Sequence, residues 1–123
     1  MNIQKICIIG DGLAGLSAAI ILGQENIKID LYAGDKKNNK SKIDSRTTAI
    51  SESSYQYIKK KLNIKNKKIF WPCKEINLFY ENKKIISNFF NFMEQKKNLM
   101  YVFKNKELKQ NLDKQIKKKK ILN

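Results

Sequence analysis

Apolar and polar residues alternate in blocks through the first third of the chain. Residues 3–9 form a β-branched apolar run that stops at Gly10, which is typical of a strand buried on both faces of a parallel sheet. Residues 13–22 carry Ala, Leu and Ile at helical density and stop at Gly23, a favoured helix C-terminus. Residues 27–32 then alternate as a half-buried strand does. This order predicts a βαβ unit and the α/β fold class.

A polar segment and a second helix follow the βαβ unit. Residues 34–45 are rich in Lys, Asn and Ser and predict a loop. Residues 51–64 predict a helix that Ser51 or Ser53 could cap. The apolar positions of this helix recur at helical spacing, at Tyr55, Ile58 and Leu62.

The second half of the chain predicts two strands and a basic helix. Pro72 breaks the helical pattern of the preceding segment. Residues 74–80 and 83–89 then predict two strands joined by the turn-prone sequence Glu-Asn-Lys. Residues 105–119 predict a helix whose basic end suits the negative pole of the helix dipole. Its apolar residues recur every fourth position, at Leu108, Leu112 and Ile116.

These elements group into three segments within a chain of 123 residues, a length that suits one modest domain. Residues 1–69 hold the βαβ unit, predicted to bind a dinucleotide, and the helix after it. Residues 70–103 hold the hairpin-like start of a second, β-rich region. Residues 104–123 form the basic C-terminal helix and tail.

The glycine loop (residues 10–15, Gly-Asp-Gly-Leu-Ala-Gly) carries the candidate chemistry. GxGxxG between a strand and a helix is typical of dinucleotide binding, because the backbone can approach a pyrophosphate that faces the helix N-terminus. A glycine turn that holds no ligand is the open alternative. The candidate cofactor-binding residues here are Gly10, Asp11, Gly12, Leu13, Ala14 and Gly15.

The end of the second strand should supply a carboxylate to the ribose hydroxyls of a bound dinucleotide. The residue at that position is Ala33, and the nearest acidic residue after it is Asp35. We therefore predict that either Asp35 reaches back to the ribose or the contact is lost. Asp30, which lies within the strand, is predicted to be a solvated residue.

The chain is strongly basic, with 26 Lys and Arg against 11 Asp and Glu and a formal charge of +15. Such a charge brings nucleic acid or an acidic membrane surface into consideration. All the basic residues except Arg46 are lysines scattered among Asn and Ile, a composition that favours drift of an A+T-rich gene over a selected basic surface. The aromatic residues also fall on positions predicted to be core, at Phe70, Trp71, Phe79, Phe89 and Phe90. We therefore predict no nucleic-acid partner.

The chain has no histidine, which removes His-based acid–base chemistry and most zinc sites, so no metal site is predicted. Cys7 and Cys73 are far apart and predict reduced thiols in a cytoplasmic protein. No apolar stretch reaches the roughly 18 residues that a spanning helix needs.

The stretch Asp-Ser-Arg-Thr-Thr-Ala-Ile-Ser (residues 44–51) contains the only arginine of the chain. It resembles an Asp-x-Arg-x-x-Ala-[Leu/Ile]-Ser motif of the flavin-dependent aromatic hydroxylases of ubiquinone biosynthesis, within the para-hydroxybenzoate-hydroxylase-like group. The matching residues are Asp44, Arg46, Ala49, Ile50 and Ser51. Residues 70–79 and 101–112 are similar to later segments of the same family, in the same order.

The resemblance implies FAD bound at the glycine loop of a Rossmann-like domain, with Arg46 near the flavin or pyrophosphate and Asn105 near the middle of the cofactor. From the residues alone, Arg46 could instead pair with Asp44 or Glu52, and Asn105 could be a helix cap. In that family NAD(P)H reduces the flavin, which with O2 hydroxylates an aromatic, prenylated quinone precursor. Peripheral association with the inner membrane face is a further expectation.

The family carries a Gly-Asp-Ala-Ala-His-like stretch in its second half, and no such stretch occurs in this sequence. We therefore expect the chain to correspond to the N-terminal third of such an enzyme, to contain no catalytic residue and to show little or no turnover alone. Two alternatives remain. One is a small dinucleotide-binding module without catalysis, and the other is a basic protein of nucleic-acid or membrane surfaces.

Overall fold

The computed structural model describes residues 3–34, 44–82 and 85–119, which form seven strands and three α-helices. A 3-10 turn spans Lys67–Ile69. In chain order the elements are β1 (Lys5–Ile9), α1 (Leu13–Leu22), β2 (Lys28–Tyr32), β3 (Thr47–Ser51), α2 (Glu52–Lys61), β4 (Trp71–Cys73), β5 (Glu75–Asn82), β6 (Ile85–Met93), β7 (Met100–Lys104) and α3 (Asn105–Lys119). The fold is α/β and contains the βαβ unit that the apolar pattern predicts.

The β1–α1–β2 unit has the predicted order and a parallel pairing, with Ile8 opposite Leu31. Its exposure differs from the prediction of a strand buried on both faces. Along β1, Ile6 and Ile8 pack against the core, whereas the alternate residues are exposed and Ile9 reaches 87% exposure. The cause is that, among the described elements, α1 packs on one face of the β1–β2 pair and the other face is not covered.

A three-stranded antiparallel sheet in the order β3–β7–β4 was not predicted from the sequence. The central strand β7 points Tyr101 and Phe103 into the core, where both are buried. Pro72 lies inside β4, a strand that was not predicted from the sequence. The sheet accommodates it because, in the part of the chain that the structure describes, β4 is an edge strand that pairs only with β7, so the missing N–H leaves no gap in an inner ladder.

Among the described strands, β5 and β6 pair only with each other and form a two-stranded ribbon that is longer than predicted. Glu81 and Asn82, expected in the turn, instead pair with Ile86 and Ile85. The connecting residues 83–84 lie outside the described part of the chain.

The prediction that the aromatic residues lie in the core holds for Phe70 alone, which is 5% exposed. Phe79, Phe89 and Phe90 lie exposed on the β5–β6 ribbon, and Trp71 is exposed on β4. The three phenylalanines are exposed because no other described element packs on the ribbon, although their β-propensity is the same as that of core residues.

The main core joins α3 to α1. Leu112 of α3 and Ile20 of α1 are fully buried in one cluster, together with Leu16, Leu108 and Ile116. Burial of each of these side chains stabilises the fold by about 1.5–3 kcal/mol. This packing fixes the first turns of α3 beside the N-terminus of α1, where the glycine loop lies. Across residues 3–34, 44–82 and 85–119, no helix combines the length and apolarity needed to cross a membrane.

Candidate functional site

The glycine loop leaves β1 through Gly10, whose φ of +113° lies in the region that favours glycine. The Gly10 N–H donates to the Tyr32 carbonyl oxygen at 2.8 Å and so ties the loop to the end of β2. The loop therefore lies at the carboxyl edge of the parallel pair, the edge where α/β sheets bind their ligands.

The other two glycines have different surroundings. A Cβ on Gly15 would collide with the Gly10 carbonyl oxygen and lie 3.1 Å from its carbonyl carbon, so Gly15 is required for packing. A Cβ on Gly12 would meet no described atom within 4 Å, and the backbone there is extended, with φ −74° and ψ 179°. Gly12 thus leaves open space at the mouth of the loop, as an approaching ligand needs.

The N-terminus of α1 offers free donors beside that space. The first intrahelical hydrogen bond runs from Leu16 N–H to the Gly12 carbonyl oxygen at 3.0 Å. The N–H groups of Leu13, Ala14 and Gly15 precede it and have no acceptor within the helix. Within the described chain, Gly12 provides no side-chain cap and the first turn holds no acidic residue. This arrangement suits an anion such as a phosphate.

The position expected to contact the ribose of a bound dinucleotide lacks its usual carboxylate. Ala33 directly follows β2, beside Gly10, and is exposed, so the expected place for a carboxylate holds a methyl group. Asp35, the predicted substitute, lies outside the described residues. Asp30 is not the solvated residue that the sequence predicts, because its carboxylate pairs with Lys5 Nζ at 2.6 Å and is only 18% exposed. The hydrogen bond to Asp30 raises the pKa of Lys5.

Arg46 forms a bidentate ion pair with Asp44. Arg46 Nε donates to Asp44 Oδ1 at 2.8 Å and Nη2 donates to Oδ2 at 2.9 Å. The Arg46 backbone N–H also donates to Oδ1 at 3.0 Å. The side-chain bonds, followed by the backbone bond, lower the pKa of Asp44 to about 2 from 3.8. The structure therefore shows the alternative in which Arg46 pairs with Asp44. The Arg46 side chain is nevertheless 79% exposed and keeps N–H donors that Asp44 does not use.

Asn105 is the first residue of α3 and lies next to this pair. Its backbone N–H donates to the Arg46 carbonyl oxygen at 3.0 Å, and its Oδ1 accepts from Thr48 Oγ1 at 2.7 Å. The Asn105 side chain thus joins α3 to β3, which differs from the helix-cap alternative. The structure brings Arg46 and Asn105 together, as a shared ligand contact requires.

Lys109 links α3 to the glycine loop and was not recognised in the sequence. Its Nζ donates to the Asp11 carbonyl oxygen at 2.5 Å and lies 3.3 Å from the Asp11 carboxylate. Lys109 follows Asn105 by one helical turn, about 6 Å along the axis. The glycine loop and the Asp44–Arg46 pair therefore border neighbouring turns of one helix, so one extended ligand could span both. The four-residue spacing from Asn105 was the only sequence signal for this role.

An open groove of about 470 Å³ runs along the first turns of α3 next to Asp44. It is polar and carries charges of both signs. Its lining residues are Asp44, Ser45, Lys104, Lys106, Glu107 and Gln110. The groove therefore offers a ligand hydrogen-bond donors and acceptors and charges of both signs.

Taken together, the fold and the site define a βαβ unit with a glycine loop, followed by a β-rich segment. The fold of the chain is similar to that of 2,6-dihydroxypyridine-3-hydroxylase from Arthrobacter nicotinovorans, with a TM-score of 0.62 over 90% of this chain. Sequence identity is 13%, so the likeness concerns the fold alone, and the chain spans about a quarter (26%) of that hydroxylase. No protein-family model and no curated protein sequence matches the chain.

Proposed function

We propose that this chain is the FAD-binding part of a flavin-dependent aromatic-ring hydroxylase. The observation that carries the proposal is the glycine loop: free N–H groups at the start of α1 face a space that Gly12 keeps clear. The fold shared with a hydroxylase and the Asp44–Ser51 motif support FAD over other dinucleotides.

The chain's own residues have distinct roles in this proposal. The N–H groups of Leu13 and Ala14 bind the pyrophosphate, with Gly10 and Gly15 shaping the loop around it. Arg46, held by Asp44, turns its free donors to the cofactor, and Asn105 fixes the Arg46 segment through its backbone bond. Bound FAD would supply the electron transfer and O2 activation for hydroxylation.

The finer assignment is a role in ubiquinone biosynthesis, with an aromatic, prenylated quinone precursor as substrate and NAD(P)H as reductant. It rests on the resemblance of residues 44–51 alone. The chain contributes the cofactor site to this activity, and ring hydroxylation is proposed for a protein of which this chain is one part. Peripheral contact with the inner membrane face belongs to the same proposal.

The alternative of a nucleotide-binding module without catalysis uses the same loop, and ligand preference separates the two. A flavin enzyme should prefer FAD to NAD and ADP, because the Arg46–Asn105 region then contributes contacts beyond the adenosine half.

The exposed aromatic residues do not support the alternative of a nucleic-acid-binding protein. Strands β5 and β6, which carry most of them, contain no Lys or Arg, whereas stacking surfaces combine aromatic and basic side chains.

The test is FAD binding, followed by flavin fluorescence and equilibrium dialysis, in the wild type and in Gly12→Ala. Alanine suits the extended backbone at Gly12, so the variant should keep the thermal midpoint of the wild type and lose about tenfold or more in FAD affinity. Gly23→Ala is the matched control, because its φ of −67° accepts alanine at the far end of α1, about 15 Å away.

Two results would contradict the proposal. One is a folded wild type that binds neither FAD nor ADP. The other is equal FAD affinity in the Gly12 and Gly23 variants, which would show that the ligand does not approach the loop.

A further inference from the structure

Asp11 places a carboxylate inside the loop that is proposed to receive a pyrophosphate. It lies between Gly10 and Gly12, and its side chain is 35% exposed. A negative charge at this point repels phosphate oxygens, and it opposes the positive end of the α1 dipole that attracts them. The loop therefore needs a compensating charge before it can serve an anionic ligand.

Lys109 is placed to supply that charge from 98 residues away. Its ammonium group contacts both the carbonyl oxygen and the carboxylate of Asp11, so it holds the backbone of the loop as well as its charge. Asp113, one turn further along α3, also lies near the ammonium group, at 3.8 Å. The flanking residues Leu108 and Leu112 are buried against α1, which fixes the direction from which Lys109 reaches the loop.

We propose that Lys109 is a positioning residue of the phosphate site. It neutralises Asp11 and anchors the glycine loop in the form that leaves the α1 N–H groups open to a pyrophosphate. This inference rests on the proposed function and adds a residue that the GxGxxG pattern does not contain.

The two roles have separable consequences. Without Lys109, the unpaired Asp11 carboxylate repels the ligand, so removing that carboxylate as well should restore most of the affinity. The backbone anchor at the Asp11 carbonyl oxygen is lost whatever side chain residue 11 carries. Loop motion should therefore increase in every variant that lacks the lysine.

The experiment compares the full chain with Lys109→Met, Asp11→Ala, the double variant and Lys114→Met. Methionine keeps the helix propensity and length of lysine, and Lys114 is an exposed residue of the same helix, so K114M matches the change in net charge. The readouts are FAD affinity and, in the FAD-free protein, hydrogen exchange of two amides that hold the loop: Gly10 N–H, which donates to the Tyr32 carbonyl oxygen, and Leu16 N–H, which donates to the Gly12 carbonyl oxygen.

We expect K109M to weaken FAD binding about tenfold, a typical coupling between charged neighbours, and the double variant to return within about threefold of the wild type. K109M should also speed exchange of the loop amides, while K114M changes neither readout. Equal FAD affinity in K109M and K114M would overturn the inference. So would a double variant as weak as K109M, because Lys109 would then act on the ligand and not through Asp11.

A wild type that binds no FAD overturns the proposed function, and the exchange data then decide the inference separately. Faster loop exchange in K109M than in K114M would uphold the positioning role. Identical exchange in the two variants would remove it.

Discussion

The first and third glycines of the loop pack against each other: the carbonyl oxygen of Gly10 lies too close to the position of a Gly15 Cβ for any side chain to fit there. Ile8 Cγ2 lies 3.5 Å from the same point, so the site is closed on two sides. Gly12, between them in sequence, meets no described atom in the equivalent test. The three glycines of one motif therefore divide into two that build the loop and one that keeps it clear.

Gly15→Ala should destabilise the fold whether or not a ligand is present. The added methyl group forces α1 away from β1, and such overpacking costs about 1–3 kcal/mol in the free energy of unfolding. Urea unfolding of the FAD-free protein, followed by circular dichroism, measures this cost. Gly12→Ala is the control and should stay within about 0.5 kcal/mol of the wild type. Equal costs for the two variants would show that the loop has a different conformation in solution.

Ala33→Glu should strengthen nucleotide binding. Ala33 is exposed at the end of β2, beside the glycine loop, so a glutamate there can reach the ribose hydroxyls without disturbing the core. A charge-assisted hydrogen bond contributes about 1.5 kcal/mol, or roughly tenfold in the affinity for ADP and FAD. Ala33→Gln is the uncharged control of equal size. The prediction fails if the glutamate variant binds ADP no more tightly than the glutamine variant.

The elements that the sequence predicts well are those with local causes. The helix α1 has the predicted bounds, 13–22, because glycines mark both of its ends. The helix α2 begins after Ser51, whose side chain accepts from Ser54 N–H at 3.2 Å, as a capping serine should. The leucine repeat of α3 does pack into the core.

The elements that the sequence does not predict depend on distant partners. Strands β3 and β7 are five residues each and lie directly before helices, so their pattern merges with the helical one until they pair with each other. The exposed faces of β1 and of the β5–β6 ribbon have the apolar composition of buried strands, and only the tertiary structure shows that no described element covers them. The same holds for Lys109, one lysine among many until α3 packs on α1.

Asp44 should titrate well below an ordinary aspartate, with a pKa of about 2 against 3.8. Because the folded-state pKa is depressed, the Asp44–Arg46 pair contributes its stabilisation above about pH 4 and loses it as the pH falls toward 2. Carboxyl-carbon NMR follows the titration directly. In Arg46→Met the main cause is removed, so the pKa of Asp44 should rise toward 3.8, whereas Lys5→Met should leave it unchanged. A wild-type midpoint near 4 would show that the bidentate ion pair does not form in solution.

Side-chain truncations in the core should lower the free energy of unfolding several-fold more than truncations in the β5–β6 ribbon. Leu112 is fully buried, so Leu112→Ala leaves a cavity and should lower the free energy of unfolding by about 2–5 kcal/mol. Phe90 is 49% exposed on β6, and its ring contacts Phe92 at a centroid distance of 4.5 Å, so Phe90→Ala should cost about 1 kcal/mol or less. Urea unfolding at two protein concentrations measures both variants. A cost for Phe90→Ala that equals that of Leu112→Ala would show that the ribbon is covered in solution. If that cost also grew with protein concentration, the cover would be a second copy of the chain.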